Sequence, residues 1–431
     1  MEQGGRQGAW GDQQTLPARL KPCFMTDALL IAIVATTIAA FIIGAVTWML
    51  ILPARAARLE SRVLPGAEPP VGRVAHLLAQ PTALTELCQE LGPPERASLR
   101  QQWTDLKEQG RTAEARRRAQ VLWQLGEAGP DVASDATELV APPEGYRCLE
   151  DLRWITDLAS PALDPGLTGI MALLGPEVIT WHAHPSGRYG LNRDQRVETL
   201  SAPPRISELA ADVARAVGVA PPVMFITPER EARLIHINLA VAGRYHAALA
   251  VGKLALQISD ENVLRFMLGR KLTYMRPEHL LCTEVDGPED LLGLHLAVAA
   301  VLRPSTLPAP PDTVTGLPLE QVLLRLREHF ADAARAEPMR KALAAVGQDV
   351  DANRWAVWLA ATEETSFRCG LLLCGDLPAA LRILEMDDVK PGTDRETELC
   401  YNALYRFFVS STYETLRQEL VEPERVESRP T

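Results

Sequence analysis

SDENVLRFMLGRKLTYM, residues 259–275, is the segment that decides how this 431-residue sequence is interpreted. Its apolar residues recur three and four positions apart, which is the spacing of one helix face. Ser259 or Asp260 can cap the first turn, because a short polar side chain accepts hydrogen bonds from the free backbone N–H groups there. Pro277 lacks the N–H that a continuing helix needs. The segment therefore predicts a helix that begins after Asp260 and ends before Pro277.

The residues before this helix predict another helix and three strands. ISELAADVARAVGV (206–219) is amphipathic and ends at two prolines, and VMFIT (223–227) is a short run of strand-forming residues. LIHINLAV (234–241) and HAALAV (246–251) have strand character, and Gly243 between them suits a hairpin turn. The predicted order is helix, strand, hairpin and helix.

The residues after this helix predict two more. Ala352 to Cys374 is a helical stretch that contains EETSFRCG at 363–370, and Asp376 is a candidate cap for the helix that follows it. Cys369 and Cys374 are expected to be small core residues.

The order of elements between residues 206 and 384 resembles the membrane-associated zinc peptidases of the HtpX and CAAX-prenyl-protease type, a gluzincin family. In that family one helix carries HExxH and a later helix carries ExxxD. The two histidines and the later glutamate bind zinc, and the first glutamate activates the metal-bound water. The resemblance implies a mainly helical α+β fold, with a soluble zincin-like body that contains a small β-hairpin or sheet.

The motif positions themselves depart from the family. Arg270 and Tyr274 stand where the two histidines are expected, and Lys271 replaces the general-base glutamate. Glu363 keeps the position of the third zinc ligand, whereas Phe367 replaces the aspartate. The resemblance therefore implies a degenerate member of the family.

These replacements remove the metal chemistry. A guanidinium has no lone pair to give to a metal and stays charged, so Arg270 would repel a divalent cation. The sequence predicts no catalytic residue, no metal and no cofactor. We expect Arg270 and Glu363 to form an ion pair that joins the two helices in place of the metal.

Residues 28–52, ALLIAIVATTIAAFIIGAVTWMLIL, contain no charged side chain. At about 1.5 Å per residue, such a helix can cross a hydrocarbon core of about 30 Å. The pattern predicts one N-terminal transmembrane helix, with membrane lipid as a partner. Arginines follow the stretch closely, at 55, 58 and 62, which favours a single-pass protein with a cytoplasmic body.

Composition limits the remaining possibilities. The net charge of −11 argues against a nucleic-acid partner, and the bias toward Ala, Arg, Pro and Leu suggests a bacterial source. The one short basic run, Arg116–Arg118, is predicted to be a solvated helix face. The pattern divides the chain into a tail at 1–27, the anchor at 28–52, a Pro/Gly-rich linker with a short helix at 53–93, a hairpin like one tetratricopeptide unit at 94–140, the degenerate peptidase-like domain at 144–408 and a disordered tail at 420–431.

Three histidines deserve separate interpretations. His182 and His184, in WHAHPSG, have the spacing that puts two imidazoles on one face of a strand, so they are weak candidates for metal ligands. A loop pair without a metal is the alternative. His279 is expected to close a helix end, where a positive charge suits the helix dipole.

Three functions stay open from the sequence. The first is a membrane-anchored pseudo-metallopeptidase, not an enzyme, that binds a protein partner or acts as a scaffold. The second is a metal-dependent hydrolase with a site rebuilt around His182, His184 and a carboxylate. The third is an anchored helical interaction protein unrelated to peptidases, and the lack of a β-hairpin beside the helix at 260–275 would favour it.

Overall fold

The computed structural model describes residues 91–127, 129–138, 141–143, 145–303, 308–386 and 395–421. The predicted N-terminal tail, the stretch 28–52, most of the linker at 53–93 and residues 422–431 lie outside the described residues.

The described chain is mainly helical. Its longer helices are α1 (Pro93–Glu108), α2 (Thr112–Gln124), α3 (Pro130–Ala136), α4 (Pro165–Trp181), α5 (Arg205–Val217), α6 (Glu261–Thr273), α7 (Pro288–Leu302), α8 (Leu319–His329), α9 (Ala333–Val346), α10 (Ala352–Cys374), α11 (Leu377–Met386), α12 (Arg395–Phe408) and α13 (Ser411–Leu420). Shorter helical turns lie at Asp151–Arg153, Trp154–Leu158, Ser186–Tyr189, Arg193–Gln195, Val197–Thr199, Lys253–Leu256 and Leu280–Thr283.

Two small sheets accompany the helices. Their strands are β1 (Val223–Thr227), β2 (Leu234–Val241), β3 (Arg244–Gly252), β4 (Thr313–Val314) and β5 (Leu317–Pro318). The first sheet has the order β1-β3-β2, with β2 and β3 antiparallel and β1 parallel to β3, and β4 pairs with β5. Ala242 and Gly243 both have positive φ angles, of 49° and 75°, which is the backbone that a two-residue hairpin turn needs. The predicted hairpin at Gly243 is confirmed.

The helix predictions around the sheet are also confirmed. Asp260 caps α6: its carboxylate accepts hydrogen bonds from the backbone N–H of Asn262 at 2.9 Å and of Val263 at 3.4 Å. Helix α10 has the predicted bounds, and β1 and β2 have the predicted residues.

Helix α10 connects two hydrophobic cores. Trp355 and Trp358, near its start, pack with α4, α7, α8 and α9. Phe367 and Leu371, in its second half, pack with α6, the C-terminal helices and one face of the three-stranded sheet. A helix of 23 residues is about 35 Å long, so its two ends can serve two cores.

The structure corrects the membrane part of the predicted fold class, with the single-pass topology and cytoplasmic placement that followed from it. Among the residues that the structure describes, no helix combines the length and the apolar character needed to cross a bilayer. The stretch 28–52, on which the prediction rested, is outside that part of the chain. The described fold is a mainly helical α+β fold with small sheets.

The basic run in α2 is a second correction. The Arg118 side chain is only 10% exposed and donates hydrogen bonds to Glu414 at 2.7 Å and to the carbonyl of Val409 at 2.9 Å. Arg117 lies 3.2 Å from the same Glu414 carboxylate. The prediction of a solvated face is therefore wrong for both residues, which attach the N-terminal helices to α13.

Candidate functional site

The site lies where α6 crosses α10, and two glycines allow the crossing. A Cβ built on Gly370 would lie 2.8 Å from the carbonyl oxygen of Phe266, a separation that real Cβ atoms do not show. One built on Gly269 would lie 2.9 Å from the Cα of Gly370. Because neither residue has a side chain, the two helix backbones approach closely, and side chains next to the crossing can meet.

Arg270 and Tyr274 of α6 both bind Glu363 of α10. Arg270 Nη2 donates to Glu363 Oε1 at 3.0 Å, and the Tyr274 hydroxyl donates to the other carboxylate oxygen. The Arg270 and Glu363 side chains are only 14% and 12% exposed, so solvent ions screen their attraction less than at an open surface. The predicted contact between Arg270 and Glu363 is present.

An aromatic side chain supports the cation. The guanidinium of Arg270 lies 4.3 Å from the ring centroid of Phe367, one turn along α10 from Glu363. A cation over an aromatic face is attracted by the ring quadrupole. The Phe367 ring therefore gives the Arg270 guanidinium a surface that suits a cation.

The hairpin contributes His236 to the rim of the site. The His236 ring lies edge-on to the Tyr274 ring, with 6.0 Å between centroids. Burial lowers the pKa of His236 well below its usual value, and the positive charge of Lys271 lowers it further. His236 is therefore neutral at neutral pH.

The residues at this crossing do not fit a zinc ion. A tetrahedral zinc site needs lone-pair donors such as imidazole nitrogens, and Arg270 presents only N–H donors. Both carboxylate oxygens of Glu363 already accept hydrogen bonds from Arg270 and Tyr274. The arrangement joins two helices and offers no metal chemistry. The interpretation of four positions as a degenerate motif stays a prediction: Arg270, Lys271, Tyr274 and Glu363.

The structure separates His182 from His184. His182 Nδ1 lies 3.9 Å from a carboxylate oxygen of Glu284, whose other oxygen accepts a hydrogen bond from Asn238. His184 is exposed, with its ring 6.1 Å from that of Tyr189. Within the described ranges, no three His, Cys, Asp or Glu side chains are grouped to hold a metal.

Both edges of the three-stranded sheet are contacted by the segment that follows α4. The backbone of His184 donates to Asn238 O at 2.9 Å and accepts from Ala240 N at 2.8 Å, so it pairs with the outer edge of β2. Arg196 bridges the outer edge of β1 at Phe225. An extended peptide added along β2 would meet this segment of the chain.

Sequence reasoning missed the polar row on β2. His236 and Asn238 are two residues apart and so share one face of the strand, where they meet Tyr274 and Glu284 respectively. The two-residue spacing of these polar side chains is visible in the sequence. The pairing with Glu284 could not be predicted, because Glu284 follows a helical turn at Leu280–Thr283 that has no distinctive sequence pattern.

Comparisons with models of protein families, with curated proteins and with solved structures find no match to this chain.

Proposed function

We propose that this chain is a pseudo-metallopeptidase: a zincin-like body that holds no catalytic metal and acts as a protein-binding or scaffold module. One observation carries the proposal. Arg270, Tyr274 and Glu363 converge on a single point from two helices, although Glu363 is 93 residues beyond Arg270. The three positions are those that the resemblance assigns to the zinc ligands.

The surroundings of α6 support the same proposal. The β2–β3 hairpin lies beside this helix, with His236 against Tyr274. The lack of such a hairpin would have favoured an interaction protein unrelated to peptidases, and the hairpin is present. The family resemblance predicts that arrangement.

Loss of hydrolysis leaves recognition or scaffolding as the role of such a body. Lys271 cannot act as the carboxylate base, and it lies near His236 instead. Because His184 already pairs with β2, the proposed binding role does not depend on adding a peptide strand at that edge.

The rebuilt hydrolase site receives no comparable support. His182 meets one carboxylate, Glu284, while His184 lies on the exposed side of the loop. Zinc needs at least three protein ligands in a catalytic site.

Restoration of the motif tests the proposal. The triple variant Arg270→His/Lys271→Glu/Tyr274→His recreates HExxH, with Glu363 as the third ligand. If the backbone is zincin-like, the purified variant should bind one zinc ion per chain in a titration against a chromogenic chelator. Wild-type protein should bind none at this site.

A fourth substitution and a fold measurement make the result specific. Adding Glu363→Gln to the triple variant should weaken zinc binding at least tenfold, because a neutral amide replaces the anionic ligand. Circular dichroism establishes whether each variant is folded. If the triple variant does not fold, the double variant Arg270→His/Tyr274→His replaces it in the zinc titration. A folded variant that holds no more zinc than wild type would contradict the proposal.

A further inference from the structure

A cavity of about 350 Å³ opens beside the C-terminal ends of α4 and α8, and it shares no residue with the site at α6 and α10. Five of its six lining side chains are ionisable: Glu177, Arg325, Glu328, His329 and Arg335, together with Trp181. The volume is within the range of pockets that hold small molecules, about 300 to 1,000 Å³.

Four of the lining residues contact one another. The Trp181 indole N–H donates to Glu177 at 3.2 Å, and the other Glu177 oxygen lies 3.1 Å from His329 Nδ1. A guanidinium nitrogen of Arg335 lies 3.2 Å from the same ring nitrogen. The charge of Glu177 is thus engaged within the protein.

The other two residues present unpaired charges. The guanidinium of Arg325 lies over the Trp181 ring, 5.4 Å from its centroid, and no carboxylate of the described residues is within 4.0 Å of it. Glu328 likewise has no Lys, Arg or His nitrogen within 4.0 Å in the part of the chain that the structure describes. The two are three residues apart on α8, where pairing is feasible, yet Arg325 stacks on Trp181 instead.

We infer that this cavity binds a small zwitterion of the amino-carboxylate class. The carboxylate would meet Arg325, whose planar fork matches two carboxylate oxygens and whose position the Trp181 ring fixes in advance. The ammonium group would meet Glu328. A dianion such as phosphate would face the Glu328 carboxylate, and a simple cation would face Arg325, so the distribution of charge favours a ligand that carries both signs.

Calorimetric titration of the full chain tests the inference. The probes are glycine, β-alanine and 4-aminobutyrate, which separate the two charges by increasing distances, with acetate and methylammonium as half-ligands and inorganic phosphate as a dianion. At least one zwitterion should bind once per chain and at least tenfold more tightly than either half-ligand or phosphate.

Variants assign the binding to this cavity. Arg325→Gln and Glu328→Gln should each weaken the best zwitterion at least tenfold. Arg327→Gln is the matched control, because Arg327 is an exposed arginine of the same helix that does not line the cavity. This variant should bind the best zwitterion with the affinity of the wild type. The inference is overturned if no zwitterion binds, if a half-ligand or phosphate binds as tightly, or if Arg325→Gln binds like wild type.

Discussion

Gly269 of α6 and Gly370 of α10 face each other at the crossing, where the Cα of Gly370 occupies space 2.9 Å from any Cβ that Gly269 could carry. Neither residue has a positive φ angle, so backbone conformation does not require glycine here. Close approach requires it. This contact sets the distance at which Arg270 and Glu363 meet.

We therefore predict that Gly370→Ala destabilises the protein. The added methyl group would clash with the backbone oxygen of Phe266, and overpacking of this kind costs about 1–3 kcal/mol. Chemical denaturation measures the loss. The control is Gly169→Ala in α4, where no atom lies within 4 Å of an added Cβ and the better helix propensity of alanine should stabilise by up to about 1 kcal/mol. Equal effects at the two positions would contradict the argument.

The ion pair at the crossing should show strong coupling. Arg270→Met and Glu363→Met should each cost about 3 kcal/mol, because each removes one member of a largely buried ion pair. The double variant should cost clearly less than the two single losses together. A double-mutant cycle from denaturation curves gives the coupling energy, which we expect to exceed about 1 kcal/mol. Strict additivity would show that the two side chains do not stabilise each other.

The Tyr274 hydroxyl should matter only while Glu363 is charged. Tyr274→Phe removes one hydrogen bond to the carboxylate, which is worth about 1.5–3 kcal/mol for a charged acceptor. In a Glu363→Met background the same substitution should cost much less, since no acceptor remains. Unfolding free energies of the four proteins measure both values, and an unchanged cost in that background would refute the assignment of the bond.

Sequence reasoning succeeded where a local signal marks the element. Asp260 and Pro277 limit α6, and Gly243 marks the hairpin. Helix capping, the missing backbone N–H of proline and the positive φ angle of glycine are all properties of single residues. The contact of Arg270 with Glu363 was expected only from the resemblance, which aligns both residues with zinc-ligand positions, and not from any local pattern. These successes do not reach the function, which stays a proposal.

Long-range pairing defeated the sequence reasoning elsewhere. Arg118 belongs to a run that looks solvated, and its partner Glu414 lies 296 residues later in the chain. Burial raises the cost of ionising Glu414, but hydrogen bonds and charge from Arg118 and Arg117 outweigh it and lower its pKa. Nothing local to either segment specifies this contact.

His279 is the clearest misreading of a titratable group. It lies just beyond α6, and its Nδ1 is 3.3 Å from the carbonyl oxygen of Thr273, so its placement at a helix end agrees with the prediction. Its charge does not. The side chain is fully buried, and burial lowers its pKa to about 4, although Glu278 opposes the change. The expected positive charge is therefore absent at neutral pH.

This burial makes stability depend on pH in a defined window. The unfolded chain protonates His279 near pH 6.5 and the folded chain only near pH 4, so between these values the unfolded state binds more protons and stability rises with pH. The contribution is lost as pH falls from about 6.5 to 4, and it amounts to about 3 kcal/mol in full. His279→Gln should flatten the plot of unfolding free energy against pH in this range. His295, whose pKa burial also lowers to about 4, should behave in the same way. If the His279→Gln variant keeps the wild-type slope, His279 does not contribute to the pH dependence of stability, and the argument is wrong.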